Sequence, residues 1–438
     1  MTLTEQLAAL LPAHAARQRW YGAKHRSAGL EVLSVEELAA AWPMVLRVVV
    51  ASGPDERYQL ILGLRPEGEA GPDTVGEEAA VGMVDTSAGR AFCFDGLVDP
   101  EVGLLLLRHV APAQEATDVR PIGAEQSNTS LVYDERLIIK VFRRLSGANP
   151  EIEVTLALAE QGFTHVAEPV AVWRTSGDDL AVLQRFLRGG AEGWALAVAS
   201  IRAVLDEGVD PALAGGDLAP EAERLGVMTG DLHVALAQAF GSSPGDVDSW
   251  VEGAAHRAAA VHHPDLDAAA IAGILASAGA LRDAGAAVRI HGDYHLAQVM
   301  RTDEGWFVLD FEGEPSRPVE ERRRPASPLR DVAGMLRSID YAAAVGCREH
   351  PHSARDEALA QAWRERNRAA FLDAYVNRMA GTALLPTDPG ATAQLLGLFE
   401  LDKAVYEVAY EAAHRPDWVQ IPLDAVRRLV DASAARSV

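Results

Sequence analysis

The sequence predicts an α+β protein with more than one domain. Short β-type runs, separated by glycine, proline and acidic residues, fill most of the first half of the chain. Alanine-rich runs with helical periodicity fill most of the second half. At 438 residues the chain is long enough for several units that each bury a core of their own. We predict three domains, over residues 1–110, 111–187 and 188–438.

Composition excludes several classes of partner. The chain holds 40 Lys and Arg against 63 Asp and Glu, a formal charge of -23, which repels nucleic acid and anionic membranes. Its two cysteines, Cys93 and Cys347, are too far apart and too unlike in context for a disulfide framework or a cysteine zinc site. The amphipathic start over residues 1–18 is unlike a secretion signal, and no apolar run is long enough to span a membrane. We expect a cytoplasmic protein with small-molecule partners, monomeric or alternatively a homodimer.

The first two domains are predicted to be rich in strands. A helix over residues 1–18 begins the first domain. A single helix is inserted into the second, where Asn149 can cap it and Pro150 suits its first position. The predicted strands span residues 44–50, 58–64 and 103–109 in the first domain, and 116–121, 131–133, 137–141, 168–172 and 181–184 in the second.

The third domain is predicted to be mostly helical. Gly189 and Gly190 indicate a flexible tether that precedes this domain. The only interruption is a predicted hairpin around Asp293 and Asp310. The predicted helices span residues 194–205, 220–241, 246–262, 268–280, 327–344, 357–380 and 392–414.

The hairpin carries the chemistry of the chain. Asp293, Gln298 and Asp310 place a carboxylate, an amide oxygen and a second carboxylate at its edge. Phosphoryl transfer from ATP needs one group that orients the attacking hydroxyl and two oxygen ligands that hold Mg²⁺ on the phosphates. We therefore predict Asp293 as the catalytic base and Gln298 and Asp310 as metal ligands. Glu312 is predicted to add a further metal contact, and His291 and His295 to orient the loop through backbone bonds.

Residues upstream of the hairpin fit nucleotide binding. Lys140 ends an apolar strand and can reach the α and β phosphates if a helix glutamate holds it; Glu153 is the predicted partner and Glu151 the alternative. A polar loop precedes Lys140, and backbone N–H groups in such a loop can cradle phosphate oxygens. Taken singly, Lys140 also fits a solvent-facing lysine and the loop an ordinary turn. The predicted phosphate-loop residues are Ser127, Asn128, Thr129 and Ser130.

Two alternatives of other classes stay open. His291, Asp293 and His295 alternate, so they would share one face of a strand and could chelate zinc in a hydrolase. That alternative leaves Lys140 and Glu153 without a role. The other is a catalytically silent regulator that binds a nucleotide or a sugar, although binding alone does not require a base at Asp293.

The motifs resemble those of bacterial maltokinases, which are aminoglycoside-phosphotransferase-like kinases. In that family the amide at the position of Gln298 is more usually asparagine. Tyr294 and Ala297 also depart from the pattern, where leucine and glycine are usual. The resemblance covers nearly the whole chain and is carried by residues 18–21, 123–130, 140–144, 291–298, 310–315, 327–334 and 400–407.

The resemblance implies a bilobal protein-kinase-like fold with an additional N-terminal α/β cap domain. Residues 1–110 would form the cap, residues 111–187 the nucleotide-binding lobe, and residues 188–438 a helical lobe with the catalytic hairpin and the sugar site. It implies dependence on ATP and Mg²⁺ and phosphorylation of a sugar. It further implies maltose as the acceptor, with maltose 1-phosphate as the product. The alternative is a related glucosamine kinase, which phosphorylates the 6-hydroxyl of glucosamine. The backbone around Gln184 and Phe186 would hydrogen-bond adenine.

The acceptor sugar is predicted to lie near the last predicted helix. Aromatic faces stack on sugar rings, and carboxylates bind hydroxyl pairs or a sugar ammonium. Each of these side chains also fits a packing role in the core or a place on a solvated face. The predicted acceptor-site residues are Asp293, His295, Tyr406, Glu407, Tyr410, Glu411 and Trp418.

Overall fold

The computed structural model divides the chain into two compact units. Unit 1 comprises Met1–Leu156 and Ala167–Arg188, and unit 2 comprises Ala157–Val166 and Gly189–Val438. Both units combine helices with sheets, as the α+β class requires. The structure describes residues 1–22, 29–54, 56–122, 128–175, 177–314, 317–348, 350 and 353–436.

Unit 1 contains most of the strands. Helix formation begins at its first residues because the Thr2 side chain accepts the Glu5 N–H and the Glu5 carboxylate accepts the Thr2 N–H, a capping box. In chain order its elements are α1 (Leu3–Arg17), β1 (Leu30–Ala39), β2 (Met44–Ser52), β3 (Arg57–Pro66), α2 (Pro72–Val75), β4 (Ala80–Thr86), β5 (Gly89–Asp95), α3 (Pro100–Val110), β6 (Val119–Ile122), β7 (Asn128–Tyr133), β8 (Leu137–Phe142), β9 (Arg144–Leu145), α4 (Pro150–Glu160, whose end belongs to unit 2), β10 (Pro169–Arg174) and β11 (Asp179–Arg185).

These strands form two antiparallel sheets. The first has the order β1-β2-β3-β5-β4, with β9 paired to β3, and the second has the order β10-β11-β8-β7-β6. Val45 and Ile61 of the first sheet share a buried cluster with Leu131 and Ile139 of the second. The Gln59 amide, also in the first sheet, donates to two backbone carbonyls of the second sheet, at 2.7 Å each. Residues predicted as cap and as nucleotide lobe therefore pack as one unit.

One predicted strand is wrong, because residues 103–109 belong to helix α3. The Asp99 side chain accepts the N–H groups of Glu101 at 2.9 Å and Val102 at 3.1 Å, and Pro100 occupies the first helical position. This cap selects a helix for an apolar run that periodicity alone leaves ambiguous. The other predicted strands of unit 1 are found as β2, β3, β6, β7, β8, β10 and β11.

Unit 2 is mostly helical, as predicted. All seven predicted helices are present, and one further helix follows them near the carboxyl end. Among the described residues, none of the helices is long and apolar enough to span a membrane. In chain order the elements are β12 (Ala191–Glu192), α5 (Gly193–Glu207), α6 (Ala219–Phe240), β13 (Ser242–Pro244), α7 (Val247–Ala260), α8 (Ala268–Gly279), β14 (Ala286–Val288), β15 (Val299–Thr302), β16 (Gly305–Val308), α9 (Val319–Arg322), α10 (Leu329–Arg348), α11 (Ala354–Met379), α12 (Pro389–His414) and α13 (Gln420–Arg436).

The predicted hairpin is formed by β15 and β16, which pair antiparallel from Val299 opposite Val308 to Thr302 opposite Gly305. Strand β12 covers the other edge of β15. Trp306 and Phe307 of β16 are buried, which anchors the hairpin in the unit. Asp310 follows two residues after β16 ends, at the start of the loop that leads away from the hairpin.

Candidate active site

The loop that presents Asp293 is fixed by a buried carboxylate. Asp331 on α10 is only 1% exposed, and it accepts the backbone N–H groups of His291 at 2.8 Å and Gly292 at 2.9 Å. Gly292 has a φ of +85°, a left-handed conformation that favours glycine. The path of the backbone into Asp293 is therefore set by helix α10.

Asp331 is itself held by two further side chains. Its carboxylate lies 3.2 Å from Nε2 of His233, and Nδ1 of His233 lies 3.0 Å from the Tyr375 hydroxyl. Burial alone would raise the pKa of Asp331, but the hydrogen bonds from His233 and from the loop N–H groups lower it below its usual value. The carboxylate thus stays ionised and able to accept every one of these bonds.

His291 connects the loop to the strand that leads to Asp310. Its Nδ1 accepts the Asp293 N–H at 3.3 Å, so the ring proton lies on Nε2, which donates to the Leu309 carbonyl at 2.8 Å. This is the structural role predicted for His291. Because both ring nitrogens are engaged, His291 is not available as the zinc ligand that the hydrolase alternative requires.

His295 faces the Asp293 carboxylate. Its Nδ1 accepts the Ala297 N–H at 3.2 Å, which places the proton on Nε2, and Nε2 lies 3.9 Å from Asp293 Oδ2. Burial lowers the pKa of His295 below its usual 6.5, and the Asp293 carboxylate opposes this only in part. The imidazole is therefore neutral at pH 7 and presents an N–H to Asp293.

The predicted metal ligands gather where the hairpin ends. The Gln298 amide donates to Asp310 Oδ2 at 3.4 Å, and the Gln298 carbonyl accepts the Leu309 N–H at 2.9 Å. Asp310 has a φ of +59°, an uncommon conformation for a residue other than glycine. Carboxylate oxygens of Asp310 and Glu312 lie within 4.8 Å of one another. An oxygen-rich set of this kind fits Mg²⁺.

A cavity of about 350 Å³ opens beside Asp293. Lys403 of α12 lies in it, with Nζ 3.9 Å from Asp293 Oδ1 and 5.4 Å from the centre of the Tyr406 ring. Asp402 also lines it, but both of its oxygens are paired with Arg257 at 2.6 Å. The volume lies at the small end of the roughly 300–1,000 Å³ range of ligand pockets.

Of the predicted acceptor-site residues, Asp293, His295 and Tyr406 line this cavity, and the other four are absent from its described lining. Glu407 is buried and accepts a hydrogen bond from Arg337 at 2.7 Å, and Glu411 accepts one from the Tyr341 hydroxyl at 3.1 Å. These contacts join α12 to α10. Tyr410 stacks on His414 and Trp418 on Arg415, at 4.4 and 4.7 Å.

In unit 1 Lys140 pairs with the alternative partner that the sequence offered. Lys140 Nζ lies 2.6 Å from a carboxylate oxygen of Glu151. The Asn149 side chain accepts the Glu151 N–H at 2.8 Å, which fixes the first turn of α4 with Glu151 toward β8.

The predicted phosphate loop is also placed differently. Asn128, Thr129 and Ser130 lie in strand β7, and Asn128 and Ser130 are buried there. The Thr129 hydroxyl accepts a hydrogen bond from Arg143 at 2.9 Å. Ser127 lies outside the described residues.

The predicted adenine-binding segment lies at the end of β11. Gln184 is half-buried and pairs with Ile138 of β8. The Phe186 N–H donates to the Arg136 carbonyl at 2.8 Å, so this donor is already used inside the unit.

Comparisons with known proteins agree with this architecture. Residues 118–372 match the model of the phosphotransferase enzyme family, which is more than half of the chain, and residues 15–99 match the maltokinase N-terminal cap domain. The chain belongs to the phosphotransferase enzyme family. The resemblance inferred from the motifs is thereby confirmed for the family and for the cap.

Two curated relatives are glucosamine kinases. The protein from Streptacidiphilus jiangxiensis is 31% identical over 335 residues, which cover 71% of this chain and 73% of the relative. The protein from Mycolicibacterium smegmatis is 30% identical over 337 residues, which cover 73% of this chain and 81% of the relative. With the family match, they make the chain an ATP-dependent sugar kinase and remove the silent-regulator alternative.

A solved structure shares the fold. A glucosamine kinase in complex with glucosamine, ADP and inorganic phosphate has a TM-score of 0.68 and 24% identity, with 98% of this chain and 99% of that chain covered. The predicted α+β kinase-like fold with an N-terminal cap domain is therefore confirmed.

Asp331 and Lys403 are the residues that the sequence did not assign. Both lie in segments that carry the family resemblance, yet the sequence alone suggests no contact with the Asp293 loop. The sequence does indicate that Asp331 is buried, because Val332, Met335 and Leu336 follow it on the buried face of an amphipathic helix. A carboxylate in such a place needs donors. Lys403 has no comparable signal.

Proposed function

We propose that the chain transfers the γ-phosphate of ATP to the 6-hydroxyl of glucosamine. The observation that supports this proposal is the position of Asp293, which lines a cavity of about 350 Å³. This volume suits one sugar ring. The two glucosamine kinases that are 31% and 30% identical to it, over 335 and 337 residues, support the choice of sugar.

In this proposal Asp293 accepts the proton of the acceptor hydroxyl as the hydroxyl attacks the γ-phosphate. His295 presents its Nε2–H, and Lys403 its ammonium, to the two oxygens of the same carboxylate, at 3.9 Å each. Both contacts place a donor group near the carboxylate that is proposed to accept the proton. Tyr406 offers an aromatic face for the sugar ring.

The nucleotide and its metal require other residues. Lys140, held by Glu151, contacts the α and β phosphates in this proposal. Gln298, Asp310 and Glu312 would hold Mg²⁺, which neutralises charge on the phosphates when it is bound. The chain is proposed to act in the cytoplasm as a monomer on a small-molecule sugar, without nucleic acid.

Maltose is the second candidate, with maltose 1-phosphate as the product. Two observations favour it. The first is the match to the maltokinase cap domain. The second is the charge of the cavity, whose described lining holds six cations and five carboxylates and so has no excess negative charge for a sugar ammonium. The cations are Arg257, Arg317, Arg322, Arg324, Arg330 and Lys403, and the carboxylates are Asp293, Glu314, Glu321, Asp331 and Asp402.

A panel of sugars tests this proposal. The purified chain is incubated with ATP, Mg²⁺ and glucosamine, N-acetylglucosamine, glucose or maltose, and ADP formation is followed with Asp293→Asn as the control. We expect glucosamine to give the highest kcat/KM, with phosphate on the 6-hydroxyl by NMR. Transfer to maltose without transfer to glucosamine would replace the first candidate by the second. No sugar-dependent ADP formation at all would reject both.

A further inference from the structure

A second cavity lies inside unit 2 and is separate from the Asp293 cavity. It has a volume of about 1120 Å³, which exceeds the roughly 300–1,000 Å³ typical of ligand pockets. The two cavities share none of their described lining residues. Helices α10, α11, α12 and α13 and the connection between α11 and α12 form its walls. Its apolar lining includes Leu372, Val376, Met379, Leu385, Leu396 and Leu429.

Several arginines of this cavity gather around one buried carboxylate. Asp340, which is 5% exposed, is contacted by Arg337 and Arg428 at 2.7 Å each and by Arg368 at 3.2 Å. Arg368 also pairs with Glu400 at 2.7 Å. Three guanidinium groups thus surround a single buried carboxylate, and each of them also lines the cavity.

A fourth guanidinium in this region lacks a good partner. Arg364 is 17% exposed, and its nearest carboxylate oxygens belong to Asp340 at 4.0 Å and Glu365 at 3.8 Å. Neither distance is a hydrogen bond. Within the part of the chain that the structure describes, the Arg364 side chain donates no hydrogen bond at all. Burial and the neighbouring Arg428 also lower the pKa of Arg364, since its charge is poorly compensated.

The buried carboxylates of the region are fewer than its arginines. Four arginines, at 337, 364, 368 and 428, meet three buried carboxylates, Asp340, Glu400 and Glu407. Glu365 and Asp373 also line the cavity, but both are exposed. A buried guanidinium without compensation is costly, and a phosphate or carboxylate oxygen pair matches its planar donors. The adjoining apolar walls suit a hydrocarbon body.

We propose that this cavity binds a small molecule in which an anionic group, a phosphate or a carboxylate, is joined to an apolar body. The anion contacts Arg364 and Arg428, and the apolar body lies along Leu396 and Leu429. The site does not depend on which sugar the kinase phosphorylates, because it shares no lining residue with the Asp293 cavity.

Calorimetric titration of the full chain with simple amphiphiles tests this site. The probes are hexyl phosphate, hexanoate, hexanol and inorganic phosphate, each titrated with Mg²⁺ and ADP at saturation so that the nucleotide site is occupied. We expect one saturable site per chain for a hexyl anion. Hexanol and inorganic phosphate should each bind about tenfold or more weakly than the hexyl anion. The tighter of hexyl phosphate and hexanoate identifies the anionic group.

Variants place the binding in the cavity. Arg364→Gln is expected to weaken binding of the hexyl anion about tenfold or more, and Arg428→Gln is expected to weaken it as well. Arg378→Gln is the matched control, since Arg378 lies on the same helix but pairs with Asp231 outside this cavity. Circular dichroism and thermal unfolding verify that each variant folds. Absence of saturable binding of either anion, or equal binding by wild type, Arg364→Gln and Arg428→Gln, overturns the proposal.

Discussion

The carboxylate of Asp331 accepts the backbone N–H of Gly292 at 2.9 Å, one residue before Asp293. A helix that contributes nothing to the hairpin thereby sets the position of the proposed base. The second oxygen of Asp331 accepts the His291 N–H, and His291 in turn reaches the residue before Asp310. Asp293 and Asp310 are therefore held by one connected set of hydrogen bonds.

Asp331→Ala is expected to destabilise the protein strongly. It leaves the N–H groups of His291 and Gly292 and the His233 ring without their acceptor, and the loss of one partner from a buried charged network costs about 3–5 kcal/mol. Urea unfolding measures the free energy of unfolding. Asp303→Ala, at an exposed turn of the hairpin, serves as the control and should change it by less than about 0.5 kcal/mol. Equal stability of the two variants would remove Asp331 from its role as anchor.

The pH dependence of activity reports on His295. Burial lowers its folded pKa below 6.5, so the imidazole is neutral at pH 7 and gains a proton only as the pH falls through that lower value. The unfolded chain binds this proton more readily, so stability is also lost as the pH drops below 6.5. We expect kcat/KM to fall on the acid side below pH 6.5. The acid side of the pH profile of kcat/KM should change in His295→Asn and stay the same in His262→Asn. Identical pH profiles for the two variants would contradict the assignment of this acid-side fall to His295.

Nucleotide binding should depend on Glu151 more than on Glu153. Lys140→Met and Glu151→Gln are expected to raise the KM for ATP about tenfold, because Glu151 holds the Lys140 ammonium at 2.6 Å. Glu153→Gln is the matched control on the same helical turn, with a smaller expected effect. Steady-state kinetics with varied ATP measures all three. A larger effect at Glu153 would restore the partner predicted from the sequence.

Metal dependence should respond to Asp310 and Glu312. Asp310→Asn is expected to raise the Mg²⁺ concentration that gives half-maximal activity about tenfold or more, since it removes charge from a carboxylate ligand. Glu312→Gln should act in the same direction and by a smaller factor. Titration of Mg²⁺ at fixed total ATP measures both, with Asp303→Asn as the control. A Mg²⁺ dependence unchanged in Asp310→Asn would exclude Asp310 as a ligand.

The sequence predicts those parts of the site whose residues lie close together in the chain. The hairpin, the order of Asp293, Gln298 and Asp310, and the structural role of His291 could be read from a segment of some twenty residues. The partner of Lys140 could not, because the choice between Glu151 and Glu153 depends on how helix α4 is capped. Spacing alone gives no direction for a side chain.

Contacts between distant segments account for most of what the sequence missed. His233 on helix α6 contacts Asp331, and Tyr375 on helix α11 contacts His233. No local pattern in the sequence predicts these contacts. Glu407 was expected at the sugar because carboxylates bind hydroxyls, but burial of Arg337 on α10 requires that charge instead. Residues 103–109 were mistaken for a strand because apolar runs of that length fit either element.

The most direct test of the account is the turnover of Asp293→Asn beside its affinity for nucleotide. We expect kcat for the sugar-dependent reaction to fall about 10²–10⁴-fold, as for the loss of a general base, with the dissociation constant for Mg·ADP changed less than about threefold. The control variant Asp303→Asn should have the same kcat and the same dissociation constant for Mg·ADP as the wild type. A kcat within about threefold of the wild type, from a folded Asp293→Asn protein, would contradict the claim that this carboxylate receives the proton of the acceptor.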